Sequence, residues 1–456
     1  MRYCGAALSL LLAASVAVPV PASAAIFTLQ EALAVAYQTN PQLEGARAAV
    51  RALDEGVAQA NAGWRPSISA TGSYGIQNGD VVGIAKPFNT HPVIGQVTLA
   101  ESVYRGGRTY AEVSKAIADV KAGRYELLQT EQSVLLSGVT AYMDVVRDST
   151  VLSYNIDNQH TLQSELDAVN TQFHSGAVTK TDVEESEGRL ARAKADVAAA
   201  ERQLATSRAT FKNVIGRPAE TLEANAAVPP IPKSLELAET VALAQHPNVL
   251  DAKERERSAD LEVDDAAGAL QPQVSVQGQY QYLKDAAGTN IFATPKPQVI
   301  LNVVGQVTVP IYQGGGDEAT VRRAKELRTQ SVTAINGAQR DATQEVDSAW
   351  QDYFSATSSI QANQAQVKAS RAAVEGVKLE QQAGERQVLD ILNAQEELLT
   401  AQVGLATAQH DQIVAAYRLM AAVGRLTARN LALNVPLYDP REHYGENASS
   451  WFGTGK

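Results

Sequence analysis

The chain states its plan twice. The segment "WRPSISATGSYG" (64–75) is echoed by "LQPQVSVQGQYQ" (270–281), so that Pro66, Ser69, Gly72 and Tyr74 recur as Pro272, Ser275, Gly278 and Tyr280, each 206 positions later. Upstream, "TLQEALAVAYQTNP" (28–41) returns as "SLELAETVALAQHP" (234–247) in the same register. Downstream, "QVTLAESVYRGGR" (96–108) returns as "QVTVPIYQGGG" (306–316), with two residues fewer before the tyrosine. From there the interval is 208, which carries Gly176 and Asp182 onto Gly384 and Asp390. Solenoid repeats run to about 50 residues at most, so this is a tandem duplication of a larger unit. Whatever one half folds into, the chain must contain two of it.

Each unit changes its hydrophobic period once. It opens with an amphipathic helix up to Asn40-Pro41 or His246-Pro247, and a second helical segment runs to Trp64 or Leu270. A proline then stops the helix, and the period drops from 3.6 to 2. In 274–282, Val274, Val276, Gly278, Tyr280 and Tyr282 alternate with Ser275, Gln277, Gln279 and Gln281. The first half repeats this with Ile68, Ala70, Gly72, Tyr74 and Ile76, then Val93, Gly95, Val97 and Leu99. One face is apolar and the other mostly Ser, Thr, Gln and Asn. These runs approach the roughly 9–11 residues of a tilted membrane strand. Tyr104 and Tyr312 sit near strand ends, where an aromatic suits a membrane interface.

What flanks the strands is unlike a globular core. No proline occurs between Pro92 and Pro218, nor between Pro310 and Pro436. Residues 108–173 and 316–381 therefore read as helices of about 100 Å at 1.5 Å per residue. The return segments carry Val183, Leu190, Val197, Leu204 and Phe211 every seven residues, beside Ser186, Ala193, Ala200, Ser207 and Val214. The second half keeps the register with Ile391, Leu398, Leu405 and Leu419, broken by Gln412, beside Ala394, Ala401, Ala408, Ala415 and Ala422. A seven-residue repeat marks coiled-coil packing, and the small seam predicts close helices.

Composition narrows the function. Residues 1–24 read as a secretory signal peptide, with Arg2, the apolar run "ALSLLLAASVAV" and the "ASA" cleavage site. The single cysteine, Cys4, precedes that apolar run, so it suits neither a disulfide nor a lipid anchor. After the leader no apolar run approaches the length of a membrane helix, so any membrane passage must be made by strands. A net charge of −11 disfavours nucleic acid. The six histidines lack metal spacing, and the glycine groups at 106–107 and 314–316 lack the lysine and hydroxyl of a phosphate loop. No nucleophile–base pair is signalled, and the reading is of a non-enzyme with no cofactor.

Geometry then requires an assembly. Four membrane-type strands per chain cannot close a barrel, and open strand edges are not tolerated in lipid. Bacterial barrels begin at eight strands, so two or more chains must pool theirs, with the helical rods extending from one end. The parts divide into a leader at 1–24, a first repeat at 25–233, a second repeat at 234–433 and a tail at 434–456. The first repeat holds helices at 28–64, strands at about 66–79 and 93–104, a helical hairpin at about 108–216 and a linker at 217–233. The second holds helices at 234–270, strands at about 272–284 and 298–310, and a hairpin at about 316–426.

Over roughly 26–427 the chain resembles the TolC family of outer-membrane channels. The pieces that carry the likeness are "VPIYQGG" (309–315), the duplicated helix–strand–helix layout, and "SGAVTKTDV" (175–183) paired with "AGERQVLDI" (383–391). The resemblance implies an α+β membrane protein that assembles as a homotrimer. One 12-strand barrel would be shared in the outer-membrane lipid, above a coiled-coil helical tunnel in the periplasm. It further implies docking to a periplasmic adaptor (membrane fusion) protein and to an inner-membrane ABC or proton-driven transporter. The tail 438–456 suits the type I secretion branch; a drug or metal efflux exit is the alternative within the class. A periplasmic coiled-coil scaffold without a pore is the alternative outside it.

The resemblance also proposes a gate at the tunnel's periplasmic tip. Thr181 and Asp182 match the acidic side of the family's latch, and Arg386 matches its basic partner. Gln381 stands where the family's reference member has a tyrosine. Asp390 matches the first of two carboxylates that ring the constriction, and Asn393 replaces the second. Read without the family, Asp182 followed by Glu185 is a helix N-cap with its capping box, and Asp390 begins a return helix after Gly384.

Overall fold

A computed structural model describes residues 27–79, 88–285 and 296–454; the leader expected at 1–24 and much of the loops at 80–92 and 285–297 lie outside them. The first repeat opens with α1 (Leu29–Thr39) and α2 (Pro41–Asn61). Thr28 starts α1 through a capping box: its hydroxyl accepts from the Glu31 N–H at 3.2 Å, and the Glu31 carboxylate accepts from the Thr28 N–H at 2.9 Å. Asn40 caps α2 through its side-chain oxygen, with Pro41 at the first helical position, where its missing N–H costs nothing. In the second repeat α5 (Leu235–Gln245) and α6 (Pro247–Gly268) repeat the arrangement, and His246 does the work of Asn40, its Nδ1 accepting from the Asn248 N–H at 3.2 Å.

The strands are β1 (Ser67–Tyr74), β4 (Val93–Arg105), β5 (Gln273–Lys284) and β6 (Gln298–Thr308), joined antiparallel in the order β1-β4-β5-β6. Register makes the two faces continuous. Ile68 faces Leu99, which faces Gly278, which faces Val303; one step along, Ala70, Val97, Tyr280 and Leu301 line up. On the opposite face Ser69, Thr98, Gln279 and Asn302 form a matching polar row. The alternation read along each strand is therefore also an alternation across the sheet. A one-residue slip of any strand would destroy it.

The first strand is shorter than the 66–79 expected. The Gly75 N–H donates to the Pro92 carbonyl at 3.0 Å, and proline has no N–H to return. The β1–β4 ladder stops there, and Gln77–Gly79 (β2) pairs instead with Phe88–Thr90 (β3) in a separate two-stranded ribbon. At the other end of the sheet, β6 stops at Thr308 ahead of Pro310 while β4 continues to Arg105, with a register shift between Ser102 and Tyr104. That irregularity leaves Val103 as one extra residue on β4 and so takes up one of the two residues by which the first copy exceeds the second.

The rods are α3 (Arg108–His174) returning as α4 (Lys180–Ile215), and α7 (Gly316–Gln382) returning as α8 (Val388–Ala422). At 67 residues each, α3 and α7 are about 100 Å long. Along α4 the seven-residue seam is buried at Leu190, Leu204 and Phe211, with Ser186, Ala193 and Ser207 beside it. Gln412, the break in the α8 register, donates to the Thr357 hydroxyl of α7 at 3.1 Å, so the interruption is a satisfied polar contact between partner helices. The α8 helix ends at Ala422, short of the 426 expected, and Gly424 turns the chain with φ +76°. The main core lies where α1, α3, α4 and α8 converge and is built around Leu33, Leu135, Tyr142 and Phe211, with Leu426 and Leu433 from the end of the second repeat packed into it.

Gly106, between β4 and α3, has φ +67°, and a Cβ there would run into the Gly268 carbonyl at the end of α6. The two repeats thus touch backbone to backbone at the foot of the sheet. Its counterpart Gly314 has the same φ, +67°, but nothing within 4 Å.

The tail is not a loose end. Asp439 caps α9 (Pro440–Asn447), which lies along α2. His443 Nδ1 is 3.2 Å from Oδ2 of the fully buried Asp54, and the Arg124 guanidinium packs over Tyr444 at 5.3 Å. Burial pushes the Asp54 carboxyl above the usual carboxylate range, against the pull of His443 and Arg124.

Candidate gate at the tunnel tip

Two helical hairpin tips meet at the end of the rods farthest from the sheet. Each turns on a glycine in the left-handed region, Gly176 at φ +79° and Gly384 at φ +80°. The residues singled out by the resemblance lie at or near these tips, and within one chain Asp182 and Arg386 have separate partners. The N-cap of α4 is Thr179 rather than Asp182; Asp182 sits at the third helical position. Its carboxylate accepts from the Thr179 N–H at 2.8 Å and from the Thr179 hydroxyl at 2.7 Å. Asp390 takes the equivalent place in α8, accepting from the Gln387 N–H at 3.2 Å. Both carboxylates also sit where the positive end of a helix dipole favours them.

Arg386 does not pair with Asp182 in this chain. Its Nε donates to Glu380 at 2.9 Å, and its Nη1 lies 4.0 Å from Asp390. Asp182, Gln381 and Arg386 instead line one cleft of about 670 Å³ between the two tips, across which Gln381 donates to Gln172 at 3.4 Å. Thr181 is exposed beside it.

Asn393 stands one turn farther in, and it is occupied. Arg189 of α4 donates to its Oδ1 at 2.8 Å and forms an ion pair with Glu396 on the next turn of α8. Arg192 reaches the same Glu396 at 3.2 Å. On the other side of the hairpins, Lys378 of α7 pairs with Glu165 of α3 at 2.7 Å, and Gln395 donates to Glu165 at 3.5 Å. Leu162, Leu166 and Val169 of α3 pack against Leu190 of α4 and Leu392 of α8 between these polar ties. Arg189, Glu396, Lys378 and Glu165 carried no signal in the sequence, where each is one charge among many on a polar helix face.

A second polar station lies midway along the rods. His410 of α8 is buried, with Nε2 3.1 Å from Asp144 of α3 and Nδ1 2.8 Å from Asp411. Arg147 bridges Asp144 at 3.0 Å and Asp148 at 2.8 Å, and Asp148 accepts from the Ser207 hydroxyl at 2.5 Å. Burial pushes the His410 imidazole down, but the hydrogen bonds to Asp144 and Asp411 outweigh it and the net shift is upward. For Asp148 burial pushes upward, and the hydrogen bonds from Arg147 and Ser207 prevail, leaving its carboxyl below the usual range.

An amphipathic four-stranded sheet with two edges unpaired among the described residues, set on rods about 100 Å long that end in paired tips, defines a channel-tunnel of the outer membrane. Comparison with known proteins gives the family. The model for "Outer membrane efflux protein" matches residues 32–217 and again 240–425, once per repeat, and the chain belongs to that family. It is 34% identical over 426 residues to the outer membrane efflux protein BepC of Brucella suis, covering 93% of this chain and 91% of BepC. It is 24% identical over 434 residues to the outer membrane protein TolC of Escherichia coli, covering 90% of this chain and 85% of TolC. Among solved structures, the CmeC outer membrane channel of Campylobacter jejuni superposes with a TM-score of 0.79 at 16% identity, covering 92% of this chain and 89% of CmeC, which shows the shared fold. The protein is an outer-membrane channel with a periplasmic helical tunnel, and not an enzyme.

Proposed function

We propose that three copies of this chain form one exit duct for type I protein secretion, for efflux, or for both. The observation that carries the reading is the sheet: four strands with free edges at β1 and β6. Neither edge can be left bare in lipid. Three copies close a ring of 12 strands, with Ser69, Thr98, Gln279 and Asn302 on the pore side and Ile68, Leu99 and Val303 toward lipid. The exposed apolar residues of α7, Leu327, Val332, Phe354 and Leu379, suit contact with a neighbouring copy. Passage is passive, and its direction comes from an inner-membrane ABC or proton-driven transporter joined through a periplasmic adaptor. The likeness to BepC, an efflux protein by name, favours efflux between the two cargo classes.

Closure of the tip is assigned to the ties between hairpins. Arg189 with Asn393 and Glu396, and Lys378 with Glu165, hold α8 and α7 against α4 and α3. Asp182 completes the capping box that Thr179 begins, and Asp390 supplies a single ring of carboxylates at the constriction. Purified protein should run as a trimer in detergent and give small single-channel steps in a planar bilayer. Folded monomer that stays soluble without detergent and never inserts would refute the duct. Cells lacking the chain should accumulate an efflux dye if it serves efflux, or lose an exported protein from the medium if it serves secretion.

A further inference from the structure

The tail passes beside the foot of the sheet, and there it carries two exposed aromatics, Trp451 and Phe452. Arg65, two residues before β1, donates to the Ser449 carbonyl at 3.2 Å and the Ser450 carbonyl at 2.5 Å. Its guanidinium stacks on the Trp451 ring at 4.6 Å, and Asn61 at the end of α2 holds the Ala448 carbonyl at 3.0 Å. Trp451 and Phe452 are thereby fixed at the β1 edge of the sheet, yet they are 63% and 91% exposed in the isolated chain. At the opposite edge β6 runs out at its foot into Ile311 and Tyr312, which are 94% and 77% exposed. Among the described large apolar residues, Ile311 and Phe452 are the most exposed.

The duplication says what these two patches meet. Within the chain, the foot of β4 lies against the start of β5, and there Gly106 abuts the Gly268 carbonyl. Gly314 is the equivalent of Gly106 after β6, and it has nothing against it. The equivalent of Gly268, 206 positions earlier, is Ala62, three residues before Arg65. Pairing β6 with β1 of a second copy would repeat the inner junction. Because those strands are antiparallel, the end of β6 and the start of β1 leave the ring at the same level, about 4.8 Å apart. Ile311 and Tyr312 then arrive at the surface where Arg65 holds Trp451 and Phe452.

We propose that the C-terminal tail is a clasp between copies, in which Trp451 and Phe452 of one chain cover Ile311 and Tyr312 of the next. This rests on the ring closure proposed above. The first copy of the motif needs no clasp, since its junction is covalently within the chain; the second does, and only there does the chain supply one.

The test uses full-length protein in native membranes, carrying Ile311→Cys together with Phe452→Cys. Cys4, in the expected leader, is the only cysteine of the sequence, so the engineered pair reacts alone. A bifunctional maleimide should convert the double variant to a covalent trimer on a denaturing gel, while each single variant stays monomeric. Native mass is measured on the same preparations. Trimers by mass that do not cross-link would overturn the clasp and leave the ring standing. If, with Trp64→Phe and Trp350→Phe added, the remaining Trp451 fluorescence in those trimers is quenched by brominated lipid, the tail meets the bilayer instead of a second copy. Monomers by mass would overturn the ring, and the clasp with it.

Discussion

Replacing Arg189 with alanine removes two attachments between the hairpins at once: the hydrogen bond to Asn393 at 2.8 Å and the ion pair with Glu396. The Arg189 side chain is 25% exposed and that of Glu396 43%, so solvent screens the pair and its worth is at most about 0.5 kcal/mol. The hydrogen bond to Asn393 is exposed to solvent, which brings its net contribution down to about 1 kcal/mol. One chain therefore loses about 1–1.5 kcal/mol, and three chains opening together lose about 3–4.5 kcal/mol. At about 1.4 kcal/mol per factor of ten, the balance between closed and open tips should move by roughly 10²–10³-fold. Single-channel recording in planar bilayers reads this directly, as larger or longer open steps in Arg189→Ala than in the unsubstituted protein. Asp182→Ala, which removes only the N3 half of the Thr179 capping box and about 1 kcal/mol of local stability, should leave conductance near the starting level. The opposite pattern, a silent Arg189→Ala and a wide-open Asp182→Ala, would refute the assignment. It would return the latch to the pair that the family resemblance implies, with Arg386 reaching a neighbouring copy.

Phe211→Ala should cost about 3–5 kcal/mol, because the ring is fully buried and edge-on to Phe27 at 6.4 Å; thermal unfolding in detergent and the yield of folded trimer both report it. Gly106→Ala should strain the left-handed backbone by about 1–2 kcal/mol and push against the Gly268 carbonyl, whereas Gly314→Ala meets open space within its own chain; heat stability of the two variants in detergent separates these costs. His410, facing Asp144, Asp411 and Arg147, has its pKa raised in the fold, so its stabilising charge is fully present below its ordinary 6.5 and is lost as pH rises through the folded value. The melting-temperature gap between the starting protein and His410→Gln should therefore be widest in mild acid and narrow with rising pH; a gap that widens above neutrality would contradict the ion pairing.

The parts of this molecule that were legible in its sequence are those that repeat. Alternation in 274–282 marks a strand because the two faces of a sheet meet different surroundings, and cross-strand register then makes Ile68, Leu99 and Val303 one surface. Leu190, Leu204 and Phe211 mark the α4 seam because a helix packed along its whole length must present the same face every seven residues. Single contacts leave no such trace. Arg189 meets Asn393 and Glu396 across 204 and 207 residues, and no local rule distinguishes it from Arg192 or Arg202 on the same helix. The cap of α4 shows a finer failure: Thr179 and Asp182 satisfy the capping-box spacing as well as Asp182 and Glu185 do, and only the position of Gly176 in the turn decides between them. The resemblance, for its part, pointed to positions at the tip, and within one chain Arg386 meets Glu380 rather than Asp182. It transfers positions, while which charges meet depends on side chains such as Glu380 that capture Arg386 locally. The tail escaped for the reason opposite to periodicity: it exists once in a chain where almost everything else exists twice. A duplicated unit can pair its two copies inside one chain at a single junction only. The second junction belongs to the assembly, and an unrepeated segment that delivers Trp451 and Phe452 to that edge is where such a chain would write its solution.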